Sequence, residues 1–435
     1  MNQSKHIDVA VLGGGFAGCA AALRLAQRGV GTALIEYKAH LGGRATSYQI
    51  KNWPAPLDNG QHVLLGCCDR TRGFLEALGA PDAVDWRRTL PVANSVGGIH
   101  ALRPWPVLPP FHLIPFLRDF PGLGFADRAK IAWAMLRLSF SGASRETWGE
   151  LAARLGQTQE IQRRFWRPFL VSALNFDPAQ SAADHVRHIV RDAFLRRDGM
   201  NIGLPRMPLI QLFNERIRPA LEREGVVLKT AKRILRLSLE GPHGFVVHLH
   251  DQSALNARKV ILATGPAAAK HILEETTGVE ETAKRLGPFT LGSPIISIHL
   301  LYDRVLTDLR FCLVQGKMIQ WIFNKGVYDG RQHLQAVISA ADREAEQSQW
   351  ELAIAADAEV RSIFGTAAQL VQSVSFIEKN ATFPPRPDLV RPAPRDSGHP
   401  DLFLAGDYVE TGWPGTIESA VRSGEAAAEA VAAAI

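Results

Sequence analysis

The chain has 435 residues, of which 46% are hydrophobic and 21% are charged, and its formal net charge is +6 at pH 7. This length is sufficient for two or three lobes around a sizeable core. The basic residues are scattered and do not alternate with aromatic residues as in nucleic-acid-binding modules, so we expect no nucleic-acid partner. A modest basic excess instead favours contact with an anionic membrane surface.

The apolar segments and the cysteines indicate in which cellular compartment we expect the protein. No apolar run reaches about 18 residues, and the first residues lead directly into a predicted strand, so we expect neither a transmembrane helix nor a signal peptide. The four cysteines show no spacing of metal ligands, and the adjacent Cys67 and Cys68 do not suit an ordinary disulfide. We therefore predict no metal site and a reducing compartment, the cytoplasm.

The N-terminal segment contains the pattern of a dinucleotide-binding βαβ unit. An apolar run over residues 7–12 predicts a buried strand, and Gly13, Gly15 and Gly18 follow with G-x-G-x-x-G spacing before a helical pattern. The first glycine permits a tight turn, the second lets the backbone approach a pyrophosphate, and the third lets the helix pack closely on the strand. The helix begins at Phe16 and Ala17, where its N-terminus offers partial positive charge to phosphates.

A second predicted strand, residues 32–35, ends on Glu36, at the position roughly 20 residues on where a carboxylate accepts ribose hydroxyls. The strand, helix, second strand and acidic residue together predict an ADP-containing dinucleotide. The sequence Gly42-Gly43-Arg44 follows directly. Taken alone, it is compatible with a surface turn that carries a solvated arginine.

The next polar motif is Asp58-Asn59-Gly60-Gln61-His62. Gly60 can bring the backbone close to a flat ring system, while Gln61 and His62 offer donors and acceptors at its edge. A polar turn with a structural histidine is the alternative interpretation.

Residues 102–123 contain six prolines among aromatic and aliphatic residues, a composition that excludes a regular helix. This segment either folds into the core or dips into a bilayer, with Arg103, Trp105 and Arg118 at the interface. Residues 126–140 predict an amphipathic helix, either of the core or of a membrane surface. The predicted membrane-contact segment is therefore 102–140.

Further helices are predicted over residues 146–155, 160–174 and 209–225, with strands at 226–228 and 234–237 as a pair. The aromatic residues of helix 160–174 either line a long apolar cavity or form a core stripe. A buried strand at 259–262 continues into Ala-Thr-Gly. Because no second G-x-G-x-x-G occurs, we expect no dedicated NAD(P)H domain, and a nicotinamide or other reductant would bind transiently.

Near the C-terminus an apolar strand ends on Gly406-Asp407, and a helix starts near Thr416 and Ile417. The aspartate can hold a ribityl or phosphate-side hydroxyl, and the helix N-terminus can stabilise negative charge on a flavin edge. An ordinary strand–turn–helix is the alternative. Since motifs occur at both ends of the chain and in its middle, we predict a discontinuous cofactor lobe.

Several motifs together resemble the FAD enzymes that include amine oxidases and carotenoid desaturases, and in particular the squalene-associated FAD enzymes, the hydroxysqualene dehydroxylases of hopanoid biosynthesis. The resemblance covers nearly the whole chain and is carried by GGR at 42–44, DNGQH at 58–62, W-x-P at 166–168 with ALN at 173–175, ATG at 263–265, AGD at 405–407, and P-x-T-I-E-x-A-x-x-S-G at 414–424.

This resemblance implies an α/β fold with a Rossmann-like FAD-binding lobe and a mixed α+β substrate lobe. The predicted FAD lobe comprises residues 5–90, 206–268 and 396–435, and the substrate lobe comprises 91–205 and 269–395. In these enzymes the GGR motif lies near the phosphates, the turn corresponding to DNGQH lies against the isoalloxazine, and a strand corresponding to Arg233-Ile234 contacts adenine. The predicted cofactor-binding residues are Gly13, Gly15, Phe16, Ala17, Gly18, Glu36, Gly43, Arg44, Gly60, Gln61, His62, Ile234, Gly406, Asp407, Thr416 and Ile417.

The resemblance further implies the reductive dehydroxylation of hydroxysqualene to squalene with reduced FAD, on a long apolar isoprenoid substrate at the inner face of the cell membrane. A general acid must protonate the leaving hydroxyl, and the candidates are His62, Asp58, Tyr408 and Glu410. A carotenoid- or dehydrosqualene-type desaturase is the alternative. An amine oxidase, or a lipid-carrying protein that retains the fold without flavin chemistry, is less compatible with the motifs.

Overall fold

The computed structural model describes residues 7–94, 98–239 and 244–435. The predicted start of the first lobe at residue 5 lies outside these ranges. The described strands, in chain order, are β1 (Val9–Leu12), β2 (Thr32–Ile35), β3 (Ser47–Tyr48), β4 (Leu57–Asp58), β5 (Leu64–Leu65), β6 (Val84–Arg87), β7 (Leu90–Ala93), β8 (Ile99–Leu102), β9 (Ile202–Pro205), β10 (Val227–Lys229), β11 (Ile234–Leu239), β12 (Phe245–Leu249), β13 (Ala254–Ala257), β14 (Lys259–Leu262), β15 (Ser293–Tyr302), β16 (Phe311–Val314), β17 (Trp321–Tyr328), β18 (Arg331–Ser339), β19 (Leu370–Thr382) and β20 (Leu402–Leu404).

The described α-helices are α1 (Phe16–Ala26), α2 (Asp69–Ala77), α3 (Ile114–Asp119), α4 (Phe125–Phe140), α5 (Trp148–Arg154), α6 (Gln159–Ile161), α7 (Arg167–Leu174), α8 (Ala183–Ile189), α9 (Leu209–Gln211), α10 (Arg218–Arg223), α11 (Pro266–Glu274), α12 (Glu280–Leu286), α13 (Gln349–Phe364) and α14 (Ile417–Ala432). Short 3₁₀ turns lie at Pro81–Ala83, Phe111–Leu113, Pro178–Gln180, Gly287–Thr290 and Glu344–Glu346, and π-helical turns at Gln162–Trp166, Val190–Phe194 and Leu212–Ile217.

A parallel five-stranded sheet with the order β10-β2-β1-β14-β20 forms the first lobe. Successive side chains of a strand point to opposite faces. Val9 and Val11 accordingly pack with α1 and α14, whereas Ala10 and Leu12 pack with α11 and the small sheet β11–β13. Because both faces are covered, β1, β2, β14 and β20 are buried along their whole length and are mainly apolar, whereas the edge strand β10 is partly exposed. The strands of this sheet come from three separate parts of the chain, as expected for a discontinuous lobe.

A seven-stranded sheet with the order β19-β15-β18-β17-β16-β7-β8 forms the second lobe. One face packs against the helices between residues 113 and 194, and the other packs against α13. The aromatic residues of helix 160–174 belong to the first of these cores. Phe165 and Trp166 are fully buried, and their ring centroids lie 5.0 Å apart. In this structure they therefore form a core stripe.

Two predictions of local structure are wrong. The strands predicted as a pair at 226–228 and 234–237 lie in different sheets, because β10 continues the parallel sheet beside β2 while β11 pairs with β12. Residues 102–123 do contain a regular helix, the six-residue α3. Its proline occupies the first turn, where the missing N–H would have no partner in any case.

The boundaries between the two lobes stay a prediction. One strand assigned to the substrate lobe, β9, pairs with β5 and β6, which were assigned to the FAD lobe. Within the described ranges, no helix combines the length and apolarity needed to cross a bilayer.

The aromatic core of the second lobe gives a stability prediction. Phe165→Ala should lower the free energy of unfolding by about 3–5 kcal/mol, because the side chain is fully buried and the cavity cannot collapse completely. Denaturant unfolding would measure the change. Phe140→Ala is the matched control, since Phe140 is 84% exposed and its loss should change stability by less than about 0.5 kcal/mol. Equal effects of the two substitutions would contradict this assignment of the core.

Candidate active site

The glycine-rich turn after β1 has two different functions. Gly13 adopts a φ of 112°, and a Cβ there would lie 2.6 Å from the carbonyl oxygen of Ala263. A Cβ on Gly18 would lie 1.8 Å from the carbonyl oxygen of Gly13. Both positions therefore require glycine so that β1, α1 and β14 can pack together.

Gly15, in contrast, borders open space. The nearest atom to a Cβ at Gly15 would be the carbonyl oxygen of Gly42, at 3.9 Å, and Gly43 lies on the same side. The two glycine motifs thus lie side by side at the N-terminus of α1, since a Cβ on Gly43 would be 3.2 Å from the Cα of Gly15. We call the surface that they form there, without side chains, the floor of the cofactor groove. The side chains of Phe16 and Ala17 are buried in the core, so these residues present only their backbone N–H groups, which have no partner within the helix.

Glu36 closes the end of this groove at the carboxyl end of β2. Its carboxylate accepts hydrogen bonds from the N–H groups of Gly14, at 2.6 Å, and Lys38, at 2.8 Å. The residue is only 7% exposed. The N–H of Lys232 donates to the carbonyl oxygen of Glu36 at 2.9 Å, which places the start of β11 and Ile234 beside the carboxylate.

The two ends of the chain meet at an ion pair. Arg44 donates to Asp407 at 2.5 Å, and the arginine side chain is 41% exposed although its partner is nearly buried. Gly406 adopts a φ of 146° and donates its N–H to the hydroxyl of Ser423 on α14 at 2.8 Å. The predicted phosphate-side arginine and the C-terminal aspartate are therefore brought together on one side of the groove.

The helix that follows is oriented like α1. Thr416 caps α14 by accepting a hydrogen bond from the N–H of Ser419 at 3.3 Å, and the helix begins at Ile417. Because β1 and β20 are parallel, the helices after them both begin at the carboxyl edge of the sheet. This is the edge at which open α/β sheets bind ligands.

Arg391, a residue that the sequence did not indicate, stabilises the loop between Asp407 and α14 from its buried side. Its guanidinium is buried and donates to the carbonyl oxygens of Asp407, Val409 and Trp413 and to the hydroxyl of Ser419. Burial lowers its pKa, and the nearby carboxylates of Glu410 and Asp407 oppose this. The residue lies in a proline-rich connector, and no sequence signal identified it.

Asn59 joins the DNGQH turn to the GGR motif. Its side chain donates to the carbonyl oxygen of Arg44 at 2.8 Å, and its own N–H donates to the carbonyl oxygen of Thr46 at 3.0 Å. The short strand β3, which follows the GGR motif, pairs with β4, which ends at Asp58 of the DNGQH turn. Gly60, Gln61 and His62 are consequently held next to the arginine end of the groove.

Asp58 is an ionised carboxylate in this arrangement. It accepts hydrogen bonds from Ser47 Oγ at 2.6 Å, the N–H of Leu209 at 3.0 Å and Lys325 Nζ at 3.0 Å. Burial acts to raise its pKa, but the charge of Lys325 and these hydrogen bonds hold the pKa below its ordinary value. The lowered pKa disfavours Asp58 as the general acid near neutral pH.

His62 is neutral near pH 7. Burial lowers its pKa to about 4, with smaller contributions from Lys325 and Arg44, and Asp58 opposes the shift. The lowered pKa disfavours His62 as the proton donor at neutral pH. Its Nε2 atom is buried without a partner among the described residues and is available to a ligand.

The two remaining acid candidates lie elsewhere. Tyr408 is fully buried beneath Gly406 and packs against Phe289, and burial raises its pKa. Glu410 is exposed and accepts a hydrogen bond from the N–H of Gly412 at 2.5 Å. The structure does not bring either of them to Asp58 and His62.

The basic group that pairs with Asp58 is Lys325, a residue that the sequence did not indicate. Its ammonium group donates to Asp58 Oδ2 at 3.0 Å and to Gln61 Oε1 at 3.1 Å. The lysine borders a cavity of about 110 Å³, whose lining also includes Gln61, Tyr328 and His333. An alternating strand pattern predicts on which face a lysine lies, but it does not identify a partner in another lobe.

The groove fits the FAD expected from the sequence. Gly15 and Gly43 present backbone without side chains at the N-terminus of α1, Glu36 is buried at the carboxyl end of β2, and Arg44 retains exposed surface. Several polar atoms around the groove are buried without a partner within the described part of the chain, namely His62 Nε2, Thr46 Oγ1 and Thr264 Oγ1. Because buried polar atoms are normally hydrogen-bonded, these atoms fit a large polar ligand.

Comparisons with known proteins agree with this geometry. The hydroxysqualene dehydroxylases of Sinorhizobium fredii and Rhodopseudomonas palustris are each 27% identical to the chain; the first alignment covers 97% of each protein and the second covers 100% of this chain and 99% of the relative. A 15-cis-phytoene desaturase of an Oncidium hybrid is 24% identical, over 99% of this chain and 78% of its own length.

Solved structures confirm the predicted fold class. A double mutant of putrescine oxidase superposes with a TM-score of 0.74 at 17% identity, covering 98% of this chain and 99% of the other. Cyclohexylamine oxidase from Brevibacterium oxydans gives a TM-score of 0.71 at 18% identity, with coverage of 98% and 99%.

The family model described as flavin containing amine oxidoreductase matches residues 16–432. The predicted resemblance to FAD-dependent oxidoreductases is thereby confirmed, and the chain belongs to the flavin-containing amine oxidoreductase family.

Proposed function

We propose that the protein is a hydroxysqualene dehydroxylase, which converts hydroxysqualene to squalene with reduced FAD. The observation that carries this proposal is the end-to-end similarity to hydroxysqualene dehydroxylases, which extends over 96–100% of this chain and 97–99% of the relatives. The phytoene desaturases among the relatives are less similar, at 21–24% identity against 26–27% for the dehydroxylases. A desaturase is therefore the second candidate.

In this proposal, different residues of the groove bind different parts of FAD. Gly15 and Gly43 accommodate the pyrophosphate, Glu36 accepts the ribose hydroxyls, and Arg44 with Asp407 holds the phosphate and ribityl side. Gly60, Gln61 and His62 contact the ring system, where the partnerless Nε2 of His62 is free to make a hydrogen bond. Reduced FAD, when bound, supplies a hydride to the carbon that loses its hydroxyl.

The protein's own contribution is to hold the alcohol beside the ring and to keep water away from the electron-deficient carbon. Water would recapture an allylic cation and return the alcohol. The face of the seven-stranded sheet that carries Trp321 and Phe323 is aromatic and packs against an apolar helical layer, an environment that excludes water. Phe323 also borders the cavity beside Lys325.

The reaction can be tested directly. Under anaerobic conditions the purified holoprotein, with FAD and dithionite or NAD(P)H, should form squalene from hydroxysqualene with concurrent reoxidation of the flavin. Product analysis and flavin absorbance measure the two events. A yellow protein that forms no squalene, but whose oxidised flavin is reduced by a more saturated polyprene, would contradict the proposal and support the desaturase.

The glycine groove gives a prediction about cofactor binding. Gly15→Ala should lower FAD affinity at least roughly tenfold, because the new methyl group enters the groove where the backbone approaches a pyrophosphate. It should leave the folded apoprotein intact, since no protein atom lies within 3.8 Å of that position. FAD titration and thermal unfolding measure the two effects.

Gly73→Ala on α2 is the matched control, because a Cβ at this position meets no atom within 4 Å and lies away from the groove. It should retain wild-type FAD affinity. Equal affinities of Gly15→Ala and Gly73→Ala would contradict the assignment of Gly15.

We infer that residues 102–140 dock on an anionic lipid bilayer. Helix α4 has a buried apolar face toward the core, and it also exposes large apolar residues on its outer face. Exposed large hydrophobic residues cluster in this segment, namely Trp105, Val107, Leu108, Phe111, Ile114, Phe125, Trp133, Leu136 and Phe140. Five basic residues accompany them against two acidic ones, which gives the surface the charge that anionic headgroups attract.

This docking predicts vesicle binding that depends on the exposed side chains. The variant Leu108→Ser/Phe111→Ser/Phe125→Ser should bind vesicles of phosphatidylcholine and phosphatidylglycerol at least roughly tenfold more weakly than the wild type, because apolar area no longer inserts. Co-sedimentation measures the binding. Trp350→Ser on α13 is the control, since Trp350 is also exposed but lies outside the segment. Equal vesicle binding by all three proteins would overturn the inference.

A further inference from the structure

Lys325 occupies an irregular position in the centre of the seven-stranded sheet. In the pairing of β17 with β18, Asn324 lies opposite Leu334 and Gly326 lies opposite His333, so Lys325 is the extra residue of a β-bulge. The bulge is fixed locally, because the N–H of Gly326 donates to Asn324 Oδ1 at 3.0 Å. Bulges of this kind redirect a side chain and are frequent beside active sites.

The bulge directs the lysine across the boundary between the lobes. Its ammonium group reaches Asp58 Oδ2 and Gln61 Oε1 on the DNGQH turn, and its side chain retains 20% exposure. An ammonium group has three hydrogens. The described residues provide acceptors for two of them, and the third is available to a ligand in the adjoining cavity.

The neighbouring groups keep this arrangement in one protonation state. Asp58 is held as a carboxylate by Ser47 and the N–H of Leu209 in addition to the lysine. Its own carbonyl oxygen is 3.0 Å from His299 Nε2, and His299 Nδ1 is 2.9 Å from His333 Nε2. Because a carbonyl only accepts, His299 donates through Nε2 and accepts from His333 through Nδ1. Burial lowers the pKa of both histidines, to about 4 for His299.

We propose that Lys325 is the acid that protonates the departing hydroxyl, with Asp58 as its counter-ion. This inference rests on the proposed function. The geometry carries it, because Lys325 lines the cavity while its ammonium group also reaches Asp58 and Gln61. Arg206 and Arg310 line the same cavity, but a guanidinium does not give up a proton in proteins, whereas an ammonium group can.

The proposed step balances as follows. The allylic C–O bond breaks, and its electron pair remains on oxygen. The oxygen takes a proton from Lys325 Nζ and leaves as water, while the carbon accepts a hydride from the two-electron-reduced flavin. Lys325 becomes a neutral amine and regains its proton from water in the cavity. The sum is alcohol plus hydride plus proton giving hydrocarbon plus water.

The Asp58–Lys325 pair suits this step electrostatically. Before proton transfer the pair is neutral, so an uncharged alcohol is not repelled. After the transfer the carboxylate of Asp58 alone carries charge, at the time when the carbon is most positive. An electron-deficient carbon in a site of low dielectric is stabilised by such a fixed negative group.

The experiment uses two substitutions and two substrates. Lys325→Met removes both the proton and the charge, whereas Lys325→Arg keeps the pairing with Asp58 but offers a group that does not deprotonate. The substrates are hydroxysqualene and its acetate ester, whose acetate leaves without prior protonation. On the alcohol, both variants should lose roughly 10²–10⁴-fold in single-turnover rate with prereduced holoenzyme. On the ester, both variants should stay within about threefold of the wild type.

A second measurement does not depend on turnover. Titration of the oxidised holoprotein, followed by flavin absorbance, should show that the wild type binds hydroxysqualene about tenfold more tightly than squalene, because the ammonium donates to the hydroxyl. Lys325→Met should lose this preference, and Lys325→Arg should retain it. Lys259→Met is the control for loss of a buried lysine–carboxylate pair, since Lys259 pairs with Asp401 at the amino end of β14, away from the groove; it should keep both activity and preference.

The outcomes are distinguishable. If the wild type converts hydroxysqualene and Lys325→Met converts it equally fast, the proton-donor assignment is overturned and the proposed function stands. If Lys325→Met loses equal activity on the alcohol and the ester while retaining FAD, the lysine only positions the reactants and the assignment is likewise overturned. If the wild type converts neither compound, the proposed function fails, and the assignment fails with it.

Discussion

The buried carboxylate of Asp58 is the interaction on which the rest of the site depends. It accepts hydrogen bonds from Ser47 in β3, from the N–H of Leu209 at the start of α9, and from Lys325 in the seven-stranded sheet. An ionised carboxylate is stable in the interior only when it is paired and hydrogen-bonded. The two lobes therefore cannot separate at this point without leaving a charge unpaired, which fixes their relative position beside the cofactor groove.

A second constraint closes the groove from the other end of the chain. Arg44 near the N-terminus pairs with Asp407 near the C-terminus, and Arg391 holds the loop after Asp407 through a set of carbonyl oxygens. Removing one partner of such an arrangement leaves the other charge without compensation. Because α1 and α14 pack on each other directly behind these residues, the cofactor groove is built where the first and last elements of the chain meet.

The sequence predicted those parts of the site whose chemistry needs particular residue types at fixed spacing. Gly13, Gly18 and Glu36 could be identified because each requirement admits few residue types. The turn after β1 and the close packing of α1 need glycine, and the expected ribose contact needs a carboxylate about 20 residues further on. The helices of strong periodicity were predicted for the same reason, as for α4 and α5.

Long-range partners could not be predicted in this way. Lys325 reaches Asp58 across 267 positions of sequence, and its direction is set by a bulge that leaves no signal in an alternating pattern. Arg391 acts through carbonyl oxygens, which every residue carries. The lowered pKa values of His62 and Asp58, which disfavour both as acids, could not be predicted from the sequence, because the pKa of a buried group is decided by its neighbours in space. The pairing of β10 with β2 was missed because a parallel crossover joins segments that are distant in the chain.

The exposed apolar segment 102–140 also affects how the kinetics of this protein should be expressed. On the docking proposed above, a water-insoluble alcohol and its still less polar hydrocarbon product both stay dissolved in the lipid in which the protein is anchored. Encounter then takes place in two dimensions, and the quantity that governs it is the mole fraction of alcohol in the bilayer. Adding inert lipid at constant total substrate would dilute the reaction although the volume of the solution is unchanged, so saturation would be described on a surface scale instead of in molar units.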